Sequence, residues 1–265
     1  MNRAAASDEP LLQVRDLAVE LRGLPSLTLV SGVSFDIAAG EIVALFGESG
    51  CGKTTLAHAV MQLLPPARFT LRGSIRFRGT PLTSLHERAL EPIRGGGISL
   101  ITQDPLLALN PVMRAADQVA EVVRAHRSVA RREMRAEIDR LFELAGLEAS
   151  GRLRSAYPHQ LSGGERQRVL MAQALAGHPA LVIADEPFTA LDPERVVDIC
   201  ALLRRVRETF GTSFLVIGHD PGVLAHLADS VLVMHAGRVV ERGPLPQVFR
   251  APAESYTAGL LRYAV

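Results

Sequence analysis

The chain has 265 residues, 48% of them hydrophobic and 22% charged, a composition that builds a packed core and excludes a disordered or low-complexity chain. Its 29 Lys and Arg stand against 28 Asp and Glu, so no overall field draws the surface toward nucleic acid or acidic lipid, and any anion chemistry has to be local. The two cysteines, Cys51 and Cys200, show neither a pairing pattern nor metal-ligand spacing, which excludes a disulfide framework or zinc module and fits a reducing compartment.

Residues 1–10 lack the apolar core of a secretory signal and carry acids early. No stretch approaches the roughly 20 consecutive apolar residues that span a bilayer. The expectation is a soluble or peripheral protein that stays in the cytoplasm. From Leu12 to Ile37 the pattern alternates, with Val33, Phe35 and Ile37 on one side and Gly40 closing a turn, which predicts a small antiparallel layer. Glu41–Phe46 is a compact apolar strand that runs into a Gly-rich loop and then a helix from Thr54 to Leu64, ended by Pro65 and Pro66. A strand pair is predicted around Ile75 and Phe77 and from Ile98 to Ile101.

From about Asp104 to Tyr157 the chain turns helical and rich in Ala, Arg and Glu. Met134, Ile138, Leu141, Phe142 and Ala145 recur at three- and four-residue steps, an amphipathic helix facing a core, so residues 104–160 read as a helical insert. Arg124, Arg127, Arg131 and Arg135 also fall at helical steps and read as a solvated charged face in preference to a lipid-facing one. The second half alternates: a helix from Gly164, strand Leu181–Ala184, helix Glu194–Thr209, strand Phe214–Ile217, helix Gly222–Ala228 and strand Val231–Met234. This order predicts an α/β fold with a mostly parallel core sheet covered on both faces. No repeat or Gly/Ser linker divides the chain, so residues 1–265 read as one domain, with a short tail at about 244–265.

Gly47, Glu48, Ser49, Gly50, Cys51, Gly52, Lys53 and Thr54, followed by Thr55, match G-x-x-x-x-G-K-[ST] between an apolar strand and a helix, the context that makes the pattern specific. Glycines let successive N–H groups turn inward around a polyphosphate, and the helix N-terminus adds partial positive charge. Lys53 can reach the β and γ phosphates, and the Thr54 hydroxyl can ligate Mg²⁺. Lys53 is the only lysine; the other 28 basic residues are arginine, which points to a position where a compact ammonium is needed and a planar fork does not fit. Cys51 reads as a small filler of this loop.

Leu181–Ala184 ends in Asp185 and Glu186, at the strand edge where open α/β sheets bind ligands. Asp185 would hold Mg²⁺ through its water shell and Glu186 would polarise an attacking water as general base; adjacent acids also occur as helix N-caps. Leu161, Ser162, Gly163, Gly164 and Glu165 form a second Gly-rich helix start, suited to an anion or, in isolation, to an ordinary capped helix. His159 beside it reads as structural.

The phosphate loop, Gln103 in Thr102–Pro105, LSGGE at Leu161–Glu165, the strand ending in Asp185-Glu186, Ala190-Leu-Asp192 and His219-Asp220 occur in that order. This series resembles the nucleotide-binding subunit of ATP-binding-cassette (ABC) transporters and covers nearly the whole chain. The resemblance implies a P-loop cassette with an N-terminal antiparallel β layer and a helical subdomain, and a head-to-tail dimer that sandwiches ATP. Ser162 and Gly164 of one subunit would then meet the γ-phosphate held by Lys53 of the other, with Gly163 and Glu165 in the same nucleotide-binding segment. It further implies that Gln103 senses Mg²⁺ and connects to membrane subunits, that Asp192 communicates across the dimer, and that His219 contacts the γ-phosphate.

Gln103–Met113, Tyr157–Ser162, Val240-Glu-Arg-Gly243 and Ser255-Tyr-Thr257 resemble the peptide and nickel importer branch. That implies a second, paralogous ATPase, two permeases, an extracytoplasmic substrate-binding protein, no nucleic-acid partner, and a peripheral position on the cytoplasmic face of the inner membrane. The expected activity is ATP hydrolysis coupled to import, with ATP and Mg²⁺ as cofactors. The alternative is a non-transport ABC ATPase of a soluble complex, such as one associated with a carbon–phosphorus lyase. Three departures stand out. Leu24 and Leu27 lie where the family offers an aromatic for adenine, Gly218 replaces the Thr that commonly precedes the histidine and reads as loosening the backbone, and no Cys-rich tail is present, so no iron–sulfur cluster is expected.

Overall fold

The computed structural model describes residues 9–23, 26–189 and 191–263. The N-terminal stretch read for a signal up to residue 8, Leu24, Ala190 of the Ala190–Asp192 motif, and residues 264–265 of the tail lie outside the described residues.

The strands are β1 (Leu12–Leu21), β2 (Leu27–Ile37), β3 (Ile42–Phe46), β4 (Phe69–Phe77), β5 (Thr80–Pro81), β6 (Ile98–Ile101), β7 (Leu181–Asp185), β8 (Ser213–Gly218), β9 (Ser230–His235) and β10 (Arg238–Pro244). The helices are α1 (Lys53–Val60), α2 (Glu87–Leu90), α3 (Pro105–Ala108), α4 (Ala115–His126), α5 (Met134–Leu144), α6 (Gly151–Ser155), α7 (Gly163–Leu175), α8 (Pro193–Phe210), α9 (Pro221–Ala225), α10 (Leu245–Arg250) and α11 (Ser255–Tyr263). They fall into two compact units, Met1–Leu90 with Ser213–Val265, and Glu91–Thr212.

In the first unit, β2, β1, β4 and β5 form an antiparallel sheet in that order. Val33, Phe35 and Ile37 are buried and the intervening Ser34 and Asp36 are not, so the alternation read in the sequence is the pleat of β2. In a second sheet β3 lies parallel to both β8 and β9, and β10 returns antiparallel along β9. Every residue of β3 and β8 is buried, as strands covered on both faces require.

Helix α1 ends at Val60, short of the predicted Leu64. Gln62 takes a φ of 53°, its N–H donates to the Ala59 carbonyl at 3.0 Å, and the Leu63 N–H donates to His58 at 2.9 Å. This left-handed turn closes the helix before the prolines are reached. The predicted strand pair is not formed either: β4 pairs with β1 and β5, whereas β6 runs parallel to β7 in the second unit.

The second unit holds the helices read between residues 104 and 160, and also β6, α7, β7 and α8. α5 buries Met134, Ile138, Leu141 and Phe142. The four arginines do not share one helical face, because α4 stops at His126 and α5 starts at Met134. Arg127 turns inward and donates to Glu137 Oε1 at 2.6 Å and to the Ala176 carbonyl at 3.3 Å; Arg124, Arg131 and Arg135 are exposed. Among the described residues, no helix is long and apolar enough to cross a membrane.

Candidate functional site

In the first unit, residues 47–52 join β3 to α1. A Cβ on Gly47 would run into the Met234 carbonyl, and one on Gly52, whose φ is 109°, would lie 2.7 Å from the Leu29 carbonyl. Both positions therefore exclude a side chain. The loop leans on the β9–β10 turn: Gly237 donates its N–H to the Cys51 carbonyl at 2.9 Å and accepts from Ser31 N–H at 2.8 Å.

Lys53 opens α1, is 5% exposed, and donates from Nζ to the Gly47 and Glu48 carbonyls, each at 2.8 Å. One compact ammonium serves both carbonyls from inside the loop, a task suited to lysine and not to a planar guanidinium. Burial pushes the Cys51 thiol up, against the lowering effect of the Lys53 charge, so the sulfur stays a thiol and a filler. Thr54 is exposed and Thr55 half-buried at the start of α1, where the helix end is positive.

His219 is exposed directly after β8, and Asp220 caps α9 by accepting the N–H groups of Gly222 at 2.8 Å and Val223 at 3.2 Å. Gly218 sits opposite Phe46 in the β3–β8 ladder. Its backbone is thus paired at the end of β8 with glycine in place of threonine.

In the second unit, buried Asp185 ends β7, and Glu186 follows with a φ of 49°. Its Oε2 accepts from Gln103 Nε2 at 3.2 Å and from the Thr189 hydroxyl at 2.9 Å. Gln167, buried on α7, donates to the Pro187 carbonyl at 2.5 Å, so the helix that begins at the LSGGE motif is tied to the loop carrying Glu186.

Ser162 caps that helix. Its Oγ accepts the Glu165 N–H at 3.2 Å while Glu165 Oε2 accepts the Ser162 N–H at 2.8 Å, a reciprocal box. Arg152 pairs with the other oxygen of Glu165. The Ser162 N–H bond first, and Arg152 with it, hold the Glu165 carboxyl below the ordinary range against partial burial. The N–H groups of Gly163 and Gly164 remain at the open end of the helix, where no intrahelical acceptor exists. Asp192 caps α8, accepting the Arg195 N–H at 3.0 Å and its Nε at 3.1 Å. His159 is a stacking residue, its ring 5.8 Å from that of Tyr157 at 9°.

Within each unit, then, the predicted residues gather as Gly47–Gly52 in one loop with Lys53, Thr54 and Thr55 opening α1, Gln103 on Glu186, and Ser162 with Glu165. Sequence reading missed Thr189 and Gln167, whose only signal was their spacing from Glu186 and from the LSGGE motif. It also missed an apolar surface just past Gln103: Leu106, Leu107 and Val112 are 56%, 87% and 79% exposed. Buried Gln118 holds the loop beneath them, accepting Asn110 N–H at 2.9 Å and donating to the Asn110 and Met113 carbonyls at 3.1 and 3.0 Å.

No group of three or more His, Cys, Asp or Glu that could cage a metal occurs among the described residues. Thr54, Gln103 and Asp185 supply one carboxylate and two neutral oxygens. Each is an oxygen donor of the kind Mg²⁺ takes, Thr54 in the first unit and Gln103 and Asp185 in the second, and Mg²⁺ keeps waters and phosphate oxygens in place of an all-protein cage.

Comparison with known proteins agrees with this arrangement. Residues 30–189 match the family described as ABC transporter. The oligopeptide transport ATP-binding protein OppD of Mycobacterium tuberculosis is 45% identical over 255 residues, covering 95% of this chain and 41% of that protein. OppD of Bacillus subtilis is 40% identical over 253 residues, covering 95% of this chain and 71% of that protein. The chain thus spans less than half the length of the mycobacterial relative. Among solved structures, the dimeric ATP-binding cassette MJ0796 bound to ADP and Pi superposes with a TM-score of 0.79 at 26% identity, covering 88% of this chain and 98% of that one. With more than half of its residues inside the family match and the cassette fold shared, the chain belongs to the ABC transporter family.

Proposed function

We propose that this chain is the ATP-binding and ATP-hydrolysing subunit of an importer of peptides. The observation that carries the reading is the phosphate loop, a glycine-walled turn with the sole lysine of the sequence buried at its centre. Both OppD relatives are named for oligopeptide transport, which favours peptides over nickel as cargo.

Polyphosphate offers Lys53 a stronger acceptor than the Gly47 and Glu48 carbonyls, so the ammonium turns to the β and γ phosphates while the loop N–H groups and the start of α1 hold the rest. Thr54 of the first unit and Gln103 and Asp185 of the second would be the oxygen donors for Mg²⁺, which when bound would supply charge neutralisation to the phosphates. Glu186, fixed by Gln103 and Thr189, accepts the proton of the attacking water, and His219 steadies the γ-phosphate. Ser162, Gly163 and Gly164 serve the phosphate bound by a second, paralogous ATPase, with Asp192 signalling across the dimer. The exposed Leu106, Leu107 and Val112 are the apolar seat for two permeases, through which an extracytoplasmic binding protein delivers the peptide, and the subunit sits peripherally on the cytoplasmic face of the inner membrane.

The test is to isolate the wild-type protein and Glu186→Gln from native membranes in mild detergent. Two multi-spanning permeases and a second ATPase should co-purify with both. The variant should bind ATP as the wild type does while turnover falls at least 100-fold, the scale of losing a general base. Recovery only in a soluble enzyme complex would sink the transport reading, and unchanged hydrolysis would overturn the role of Glu186.

A further inference from the structure

Two sequence motifs at the end of the chain, Val240–Gly243 and Ser255–Thr257, take no part in the site as described, yet the structure makes them one device. Glu241 on β10 accepts the N–H groups of Ala253 at 2.7 Å and Glu254 at 3.3 Å, the two residues that lead into α11. The carboxylate thereby fixes where that helix begins, and Thr257 on its first turn is fully buried. Tyr256, between them, lays its ring on His235, with centroids 3.8 Å apart. Its phenol oxygen accepts the Glu48 N–H at 3.5 Å. α10 adds a second anchor, Phe249 packing at 5.5 Å on Phe46, the residue before the loop.

The Glu48 N–H and the Gly47 carbonyl belong to one peptide bond. Lys53 grips that bond by its oxygen and Tyr256 by its hydrogen. When Lys53 leaves the Gly47 carbonyl for a phosphate, the phenol, in long contact at 3.5 Å, still faces the hydrogen of this peptide. A peptide released at both ends can rotate and carry the neighbouring loop N–H groups out of line, at a cost in the pre-organisation on which anion binding depends.

We propose that Tyr256, set in place by Glu241 and His235, is a positioning residue for nucleotide binding that keeps the Gly47–Glu48 peptide oriented while Lys53 changes partners. The inference rests on the nucleotide-binding reading of the loop.

The experiment uses the full chain with ATP as the probe. Tyr256→Phe keeps the ring on His235 and removes only the acceptor. It should leave the melting temperature unchanged and raise the Kd for ATP about 3- to 10-fold, the range of one lost hydrogen bond; Glu241→Ala should move the Kd in the same direction. With ¹³C-labelled tyrosine the chain gives signals from three rings, and the one missing from Tyr256→Phe should shift as ATP saturates the wild type. A tyrosine remote from the loop would not respond to nucleotide, and a merely structural one would not lower ATP affinity while leaving the melting temperature unchanged. Equal ATP affinity in wild type and Tyr256→Phe, or a Tyr256 signal that stays put at saturation, overturns the positioning role and leaves the ATPase reading standing. A wild type that binds no ATP overturns both.

Discussion

A Cβ on Gly163 would come no nearer than 3.9 Å to the Arg166 guanidinium, and on Gly164 it would meet only the end of Arg195 at 3.3 Å. Nothing within their own unit obliges these residues to be small, unlike Gly47 and Gly52, where backbone blocks any side chain. The proposed function gives the bareness at 163 a use, the approach of a phosphate to the open helix end. Gly163→Ala should therefore hold or raise stability, by about 0.5–1 kcal/mol because alanine loses less entropy in a helix, while ATP turnover of the assembled protein falls at least tenfold. Full turnover in that variant would remove the helix start from the phosphate site. Glu186 is the opposite case, a side chain kept on a left-handed backbone that costs about 1–3 kcal/mol. That strain is tolerable because Gln103 and Thr189 hold the carboxylate and Gln167 holds the next carbonyl.

The elements show how such residues are set. Helix α7 begins at a box whose acid, Glu165, has its pKa held below the ordinary 4.5. A depressed carboxylate contributes stability that is complete above that ordinary value and is lost as pH falls through the folded one. The melting temperature of Glu165→Gln should lie about 1–3 °C below wild type at pH 7, and the gap should close on acidification below pH 4.5. A gap that persists at pH 3 would assign the effect to shape and not to charge.

Elements of this kind were legible in the sequence where the signal is local: the strand–loop–helix around Lys53, the Ser162–Glu165 spacing, the period of α5. Pairing was not, because the apolar pattern of β4 and of β6 announces a strand without naming its partner. The end of α1 was hidden because a glutamine, not a glycine, takes the left-handed turn. Thr189 and Gln167 act across folded distance, so no periodicity marks them. Residues 244–265 read as a plain tail, although α10 and α11 bring Phe249 and Tyr256 to the phosphate loop.

Over the whole molecule the charges nearly cancel, and the exposed Leu106, Leu107 and Val112 lie close in sequence to Gln103, a residue bonded to Glu186. Leu106 stands three residues along the chain from Gln103, so an apolar contact made there adjoins the residue that holds the Glu186 carboxylate. Lys53 carries a different consequence at this scale. A protease that cleaves only after lysine has a single target bond in all 265 residues, and that bond lies in the first turn of a helix, under a side chain 5% exposed. Digestion should yield only residues 1–53 and 54–265, at a rate set by how often that turn opens, and saturating ATP should slow it by the factor 1 + [ATP]/Kd. Cleavage indifferent to nucleotide would mean that the turn frays without disturbing the phosphate site. Otherwise the fading of one band on a gel reports, with no label or reporter group, how tightly the loop is shut.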